Sequence, residues 1–211
     1  LVLSNGHICP VLYACLARAG YFPLVKLKSL RQLNSKLQGH PHNLTLPGIE
    51  TSSGPLGQGI SQAVGMALAA KLDKRKHTIF CITSDGEHNE GQLWEAVMSA
   101  KKYKLDNLIV IVDRNNIQID GYTKNIMPIA PLKDKYITFG WRVMTMNGHN
   151  LKQIISTVKK AKAVQNKPTV IIAKTTLGKG IRFMENKYVW HGKTPSQAEA
   201  DRALKKLRNA I

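Results

Sequence analysis

The feature that most constrains this 211-residue chain is a set of short, unbroken apolar runs spaced among longer helix-like stretches. HTIFCITS (77–84), NLIVIV (107–112) and PTVIIAKT (168–175) are the runs, with 107–112 the strongest strand signal, and a further strand is expected at WRVMTM (141–146). A strand covered on both faces carries apolar residues continuously rather than alternately, as the strands of parallel sheets do. Helical periodicity fills the intervals at 7–19, 26–34, 56–72, 90–104, 132–139 and 151–165, with a last helix from about 195. Loops are expected at Gln38–Pro47, rich in Gly, Pro and His, and at 113–131. Such alternation predicts an α/β fold: an open, mostly parallel sheet flanked by helices on both faces. With no internal repeat, linker or low-complexity segment, residues 1–211 read as a single domain.

Composition removes several alternatives. A hydrophobic fraction of 43% is too high for a disordered chain. No window approaches the roughly 20 apolar residues that crossing a bilayer demands, so no membrane partner is expected. Cys9, Cys15 and Cys81 lack CxxC or Cys/His ligand spacing, which favours a reduced, cytoplasmic setting. The net charge of +18 invites a nucleic-acid reading, but 23 of the 31 cations are Lys, scattered through the chain, and aromatics are only 6%. Without a basic arm or a basic–aromatic ladder, no specific nucleic-acid partner is expected. The acids are more informative, since seven of 13 fall between Asp85 and Asp120. Leu1 stands within an already structured-looking segment with no charged leader before it, so the domain is expected to lack its N-terminal segment.

Ligands of open parallel sheets bind beyond the carboxyl ends of the strands. Those ends here are Ser84-Asp85-Gly86, Asp113-Arg114-Asn115-Asn116, Asn147-Gly148-His149 and Thr175-Thr176-Leu177-Gly178, all polar or glycine-rich. Adjacent parallel strands lie about 4.8 Å apart, so Asp85 and Asn115 can share one ion. An oxygen set of one carboxylate and one carboxamide suits Mg²⁺ or Ca²⁺, especially where phosphate oxygens complete the shell. Gly86 lets a backbone N–H approach a diphosphate that a side chain would block. Taken alone, Asp85-Gly86 reads as an ordinary strand–turn–helix with Asp85 as the helix N-cap.

Asp85-Gly86 followed after one helix by Asn115-Asn116 resembles the thiamine-diphosphate motif, Gly-Asp-Gly followed by Asn-Asn. LSNGH (3–7), LQGHP (37–41), SSGPLGQG (52–59), SDGEHNEGQLWEA (84–96), DNLIVIVDRNNIQIDG (106–121) and KTTLGKG (174–180) with WHGKTPS (190–196) resemble transketolase in order along nearly the whole chain. The likeness is to the separate amino-terminal subunit of split transketolases.

The resemblance implies the thiamine diphosphate-binding fold, thiamine diphosphate as cofactor, and Mg²⁺, with Ca²⁺ or Mn²⁺ as substitutes. It makes Asp85, Asn115 and the carbonyl of Ile117 the metal ligands. Gly86, His7, Gly54, Leu56 and His191 would contact or border the cofactor. His7, His40, His191 and Glu90 would take part in catalysis, His40 at the substrate's carbonyl end. Glu90 and Glu95 would lie at a subunit interface. The implied reaction is transfer of a two-carbon ketol unit between sugar phosphates, as in the pentose phosphate pathway. It would need a C-terminal subunit carrying the pyrimidine-binding domain, assembled as a heterotetramer or dimer of heterodimers. Two positions depart from the pattern: Ser84 replaces the first glycine, and His42 stands where an acid is common. Two kinds of alternative stay open: another thiamine enzyme such as deoxyxylulose-phosphate synthase or a dehydrogenase E1 component, and a non-catalytic chain, either a decayed subunit or a basic nucleic-acid-binding domain. The other histidines, His77, His88 and His149, are expected to be structural or surface residues.

Overall fold

The computed structural model describes residues 1–209. Its sheet holds five parallel strands in the order β1 (Val2–Leu3), β2 (Ile79–Ser84), β3 (Leu108–Arg114), β7 (Thr169–Lys174) and β6 (Arg142–Asn147). Between β3 and β6 the chain forms a two-stranded hairpin, β4 (Ile117–Gln118) with β5 (Gly121–Tyr122), inside the stretch expected to be loop. The helices are α1 (Cys9–Arg18), α2 (Gln58–Leu72), α3 (Gly91–Lys102), a short α4 (Thr123–Ile126), α5 (Leu132–Thr138), α6 (Leu151–Lys162) and α7 (Gln197–Arg208).

Successive β3 residues point to opposite faces of the sheet. Val110 and Val112 join Cys81, Val170 and Ile172 under α2, α3 and α5. Ile109 joins Ile171, Ala173 and Met146 under α6. The strand order explains the division. The chain moves one way across the sheet through β1, β2, β3 and β6, then turns back to β7, and right-handed crossovers put the returning helix on the other face. Helices thus lie on both faces, as the alternating pattern predicts.

Local chemistry sets several contacts. A Cβ on Gly59 would fall 2.4 Å from Ser4 Cβ, so glycine is what lets the first turn of α2 lie against the end of β1. Asn150 caps α6 by accepting the Gln153 N–H at 2.9 Å. Ser196 and Glu199 form a capping box that starts α7.

The expected helix at 26–34 is not an α-helix. A 3₁₀ helix spans Leu24–Ser29, and the chain beyond it turns, with Arg31 and Asn34 at positive φ. This region packs with α1 into a separate apolar cluster that includes Cys9, Tyr13, Phe22, Leu37, Leu46 and Ile49. Tyr13 Oη donates to the Gln38 carbonyl at 2.9 Å and Cys9 Sγ to the Gly39 carbonyl at 3.1 Å, which fixes the loop that carries His40.

Candidate active site

The register brings the carboxyl ends of the strands level, pairing Ser84 with Asp113, Arg114 with Lys174, and Asn147 with Lys174. At this edge the chain turns sharply after β3. Asn116 adopts a left-handed φ of 65°, which Asn tolerates better than most residues. The turn aims the Asn116 N–H at Asp85 Oδ2, 2.7 Å away. Arg114 Nη1 donates to the same oxygen at 3.0 Å. Asp85 is fully buried, and its Oδ1 has no hydrogen-bond partner among the described residues. Burial raises its carboxyl above the usual range, opposed by the Asn116 N–H and the Arg114 charge. Asp85 stands at the cap position of the 3₁₀ turn Gly86–Asn89, yet its side chain makes no capping bond. The capping role that the isolated dipeptide allowed is therefore not what this carboxylate does.

Asn115 Oδ1 accepts the Ile117 N–H at 2.9 Å and its Nδ2 donates to Asp113 Oδ2 at 3.3 Å. The amide is thereby oriented with its oxygen toward the turn into β4. Among the described residues no group of three or more His, Cys, Asp or Glu could hold a metal ion. A hard divalent cation nonetheless fits what is present. An unpaired buried carboxylate oxygen costs about 1–3 kcal/mol unless met, and the chain supplies only part of an oxygen shell, leaving the rest to an anionic ligand.

Three of the four residues expected at the catalytic centre gather near this edge. The His7 and His191 rings lie 5.3 Å apart, both half-buried. Burial lowers both pKa values. His7 also feels the His191 and His40 charges, and Asp113 pulls both rings back upward. His40 is exposed and borders Gly54, where an added Cβ would be 3.7 Å from His40 Cγ. Leu56 is exposed in the same loop. Glu90 and Glu95 do not join the histidines; both are exposed, at the N-terminus and second turn of α3. Ile117 is buried at the start of the hairpin.

Three residues that sequence reasoning did not assign shape the site. Glu87, fully buried, accepts from Ser4 Oγ, from the Gly57 N–H at 2.9 Å and from the Ser84 N–H at 2.7 Å. It thereby joins β1, the loop before α2 and the end of β2. Asp113 accepts from Thr175 Oγ1 and from Asn115, linking β3 to β7 across the point where the strand order reverses. Arg114 is the third. The signal available for all three was the crowding of acids and one arginine at two adjacent strand ends.

The remaining histidines have structural or surface positions. His88 is buried between Ser84 O and Tyr136 Oη, each 2.9 Å from a ring nitrogen, and burial pushes its pKa down to about 4. His77 is exposed. His149 Nε2 accepts the Thr176 N–H at 2.8 Å, tying the loops after β6 and β7 together. Ser84, which replaces a glycine of the motif, uses its N–H on Glu87 and its carbonyl on His88. His42 is exposed.

The family model described as "Transketolase, thiamine diphosphate binding domain" matches residues 1–209. The chain is 48% identical over 191 residues to the 6-deoxy-6-sulfo-D-fructose transketolase subunit SqwG of Clostridium sp. (strain MSTE9), covering 90% of this chain and 70% of that one. It is 39% identical over 210 residues to an apulose-4-phosphate transketolase subunit from Phocaeicola vulgatus, covering 100% and 74%. Among solved structures, transketolase from Campylobacter jejuni superposes with a TM-score of 0.92 at 38% identity, over 97% of this chain and 33% of that chain. The chain thus spans about a third of that solved enzyme and about three quarters of relatives named as subunits. The order of its strands, the polar edge they present and these likenesses agree: the chain belongs to the transketolase family, as the thiamine diphosphate-binding part of a transketolase-type transferase.

Proposed function

We propose that this chain binds thiamine diphosphate through Mg²⁺ and, with a partner subunit carrying a pyrimidine-binding domain, transfers a two-carbon ketol unit from a ketose phosphate to an aldose phosphate. One juxtaposition carries the reading: a buried carboxylate with an unpaired oxygen, at the same sheet edge as a pair of half-buried imidazoles 5.3 Å apart. Asp85, Asn115 and the Ile117 carbonyl would hold the ion, and the Gly86 N–H would meet the diphosphate. When bound, the cofactor supplies the carbanion-stabilising chemistry.

The chain's own groups position and move protons. With their pKa values lowered by burial, His7 and His191 are neutral at pH 7, so each can accept a proton from a neighbouring hydroxyl. Asp113 favours the charged form that results, because its carboxylate raises both pKa values. His40, exposed beside Gly54, is placed to meet the substrate end. Glu90 and Glu95 face outward on α3, where a second subunit of a dimer of heterodimers would meet them. Residues 1–211 act as one domain in this reading.

Sugar phosphates of the pentose phosphate pathway are the proposed substrates. A second reading follows from the relatives, whose names specify 6-deoxy-6-sulfo-D-fructose and apulose 4-phosphate; both sugars carry an anionic group. The net charge of +18 suits either anion.

The test is thiamine diphosphate binding to the assembled protein with and without Mg²⁺. Binding is expected to require the ion and to fall at least about 100-fold in Asp85→Asn, since metal sites depend steeply on ligand charge. Unchanged affinity in that variant sinks the ion site. Product analysis then separates the substrates: a ketose phosphate with ribose 5-phosphate is expected to yield sedoheptulose 7-phosphate. Turnover confined to the sulfonate donor favours the second reading.

A further inference from the structure

We propose that Arg114 is a built-in competitor for the divalent ion: in the unloaded protein its guanidinium holds Asp85, and loading opens that ion pair. The proposal rests on the cofactor reading above. Its basis is the unequal state of the two Asp85 oxygens. Oδ2 takes Arg114 Nη1 at 3.0 Å and the Asn116 N–H at 2.7 Å, while Oδ1 has no partner among the described residues. A divalent cation received by Oδ1 therefore shares one carboxylate with a guanidinium.

Arg114 is only 19% exposed and Asp85 1%, so water and salt screen the repulsion between the two cations weakly. Guanidinium cannot give up its proton to relieve it. Movement is the remaining outlet, and there is room for it. Arg114 lines a hollow of about 190 Å³ together with Asn116, Tyr122, Thr123 and Lys124. Lys124 lines the same hollow, so the displaced charge is not fully relieved and the competition persists after loading. The Asn116 N–H keeps Asp85 oriented throughout, because it is fixed by the left-handed turn rather than by a side chain.

The experiment titrates Mg²⁺ into the assembled full-length protein at saturating thiamine diphosphate, following bound cofactor by calorimetry. Arg114→Gln is expected to bind Mg²⁺ about tenfold more tightly, the equivalent of about 1.4 kcal/mol. Arg114→Lys keeps the competing charge and is expected to remain within about threefold of the parent. An unchanged midpoint in Arg114→Gln overturns the proposal, and a weaker one overturns it by showing that Arg114 grips the diphosphate. A second measurement needs no folded variant. Side-chain ¹⁵N NMR of the unmodified protein is expected to show a hindered arginine guanidinium that regains free rotation on adding Mg²⁺ and cofactor; a guanidinium still hindered after loading overturns the proposal. A parent protein that binds cofactor without Mg²⁺ defeats the ion-site reading itself, a result distinct from any Arg114 outcome.

Discussion

Asp85 and Glu87 stand two residues apart at the end of one strand, both with no exposed surface and both with carboxyls raised by burial. Their surroundings differ. Glu87 spends both oxygens on the protein, gathering Ser4 of β1, Gly57 before α2 and Ser84 of β2. Asp85 spends one oxygen on the β3 turn and leaves the other without a partner among the described residues. The same residue chemistry at the same depth thus serves two ends. One carboxylate closes the scaffold, and the other is held at its rim by a scaffold already closed. Satisfied buried groups rigidify, whereas an unsatisfied one marks a place for something not yet bound.

Removing the closing carboxylate should have the largest effect on folding. Glu87→Ala orphans two backbone N–H groups and a hydroxyl, each costing about 1–3 kcal/mol, offset by relief of a desolvated charge. A net loss of about 4 kcal/mol is expected, read as a lower urea midpoint with unchanged slope. A loss below about 1 kcal/mol would mean that Glu87 does not join the three segments, and the contrast with Asp85 would fall.

Next in size is the acid sensitivity that His88 imposes on the same turn. Its pKa is pushed down to about 4, chiefly by burial and further by the Arg114 and Lys135 charges, against hydrogen bonding to Ser84 and Asp85 that raises it. The unfolded chain, near the ordinary 6.5, then binds more protons than the folded one between those values, so stability rises with pH across that window. Acidification from pH 6.5 to 4 should therefore remove roughly 3 kcal/mol. Asp85 and Glu87 act with the opposite sign, because raised carboxyls favour the folded state as pH falls. His88→Gln isolates the imidazole: the gap between its stability–pH curve and the parent's should change over this window. Parallel curves would show that His88 already carries its proton in the folded protein.

How much of this was legible beforehand depends on the range of the interaction. The strands at 107–112 and 168–175 were readable because burial on both faces writes itself into consecutive residues. β1 was not, since Val2–Leu3 is too short to show a period, and its strand state comes from pairing with Cys81 and Ile82. The 26–34 segment has helical spacing, but its 3₁₀ helix ends at Ser29 and the chain then turns, with Arg31 and Asn34 at positive φ. In the site, Asp85 and Asn115 were assigned roles because motif and strand ends coincide. Glu87, Asp113 and Arg114 were not, because their partners lie elsewhere: Ser4 and Gly57 for the first, Thr175 for the second, and Asp85 itself, 29 positions earlier, for the third. A local pattern contains no information about which distant N–H will point at a given carboxylate.

The smallest folding effect should come from Asp85, the carboxylate with an unpaired oxygen among the described residues. Asp85→Asn keeps an acceptor for the Asn116 N–H and removes a charge that burial disfavours, while it costs Arg114 its ion-pair partner. Arg114 retains some exposure and borders a hollow of about 190 Å³, so it can be rehydrated. The two terms oppose each other, and unfolding of the unloaded variant should stay within about 1 kcal/mol of the parent. With Mg²⁺ and thiamine diphosphate present, the parent's thermal midpoint should rise by mass action and the variant's should not. A variant that loses several kcal/mol without ligand would put Asp85 on the same footing as Glu87, a member of the closed scaffold rather than a carboxylate that the scaffold holds ready.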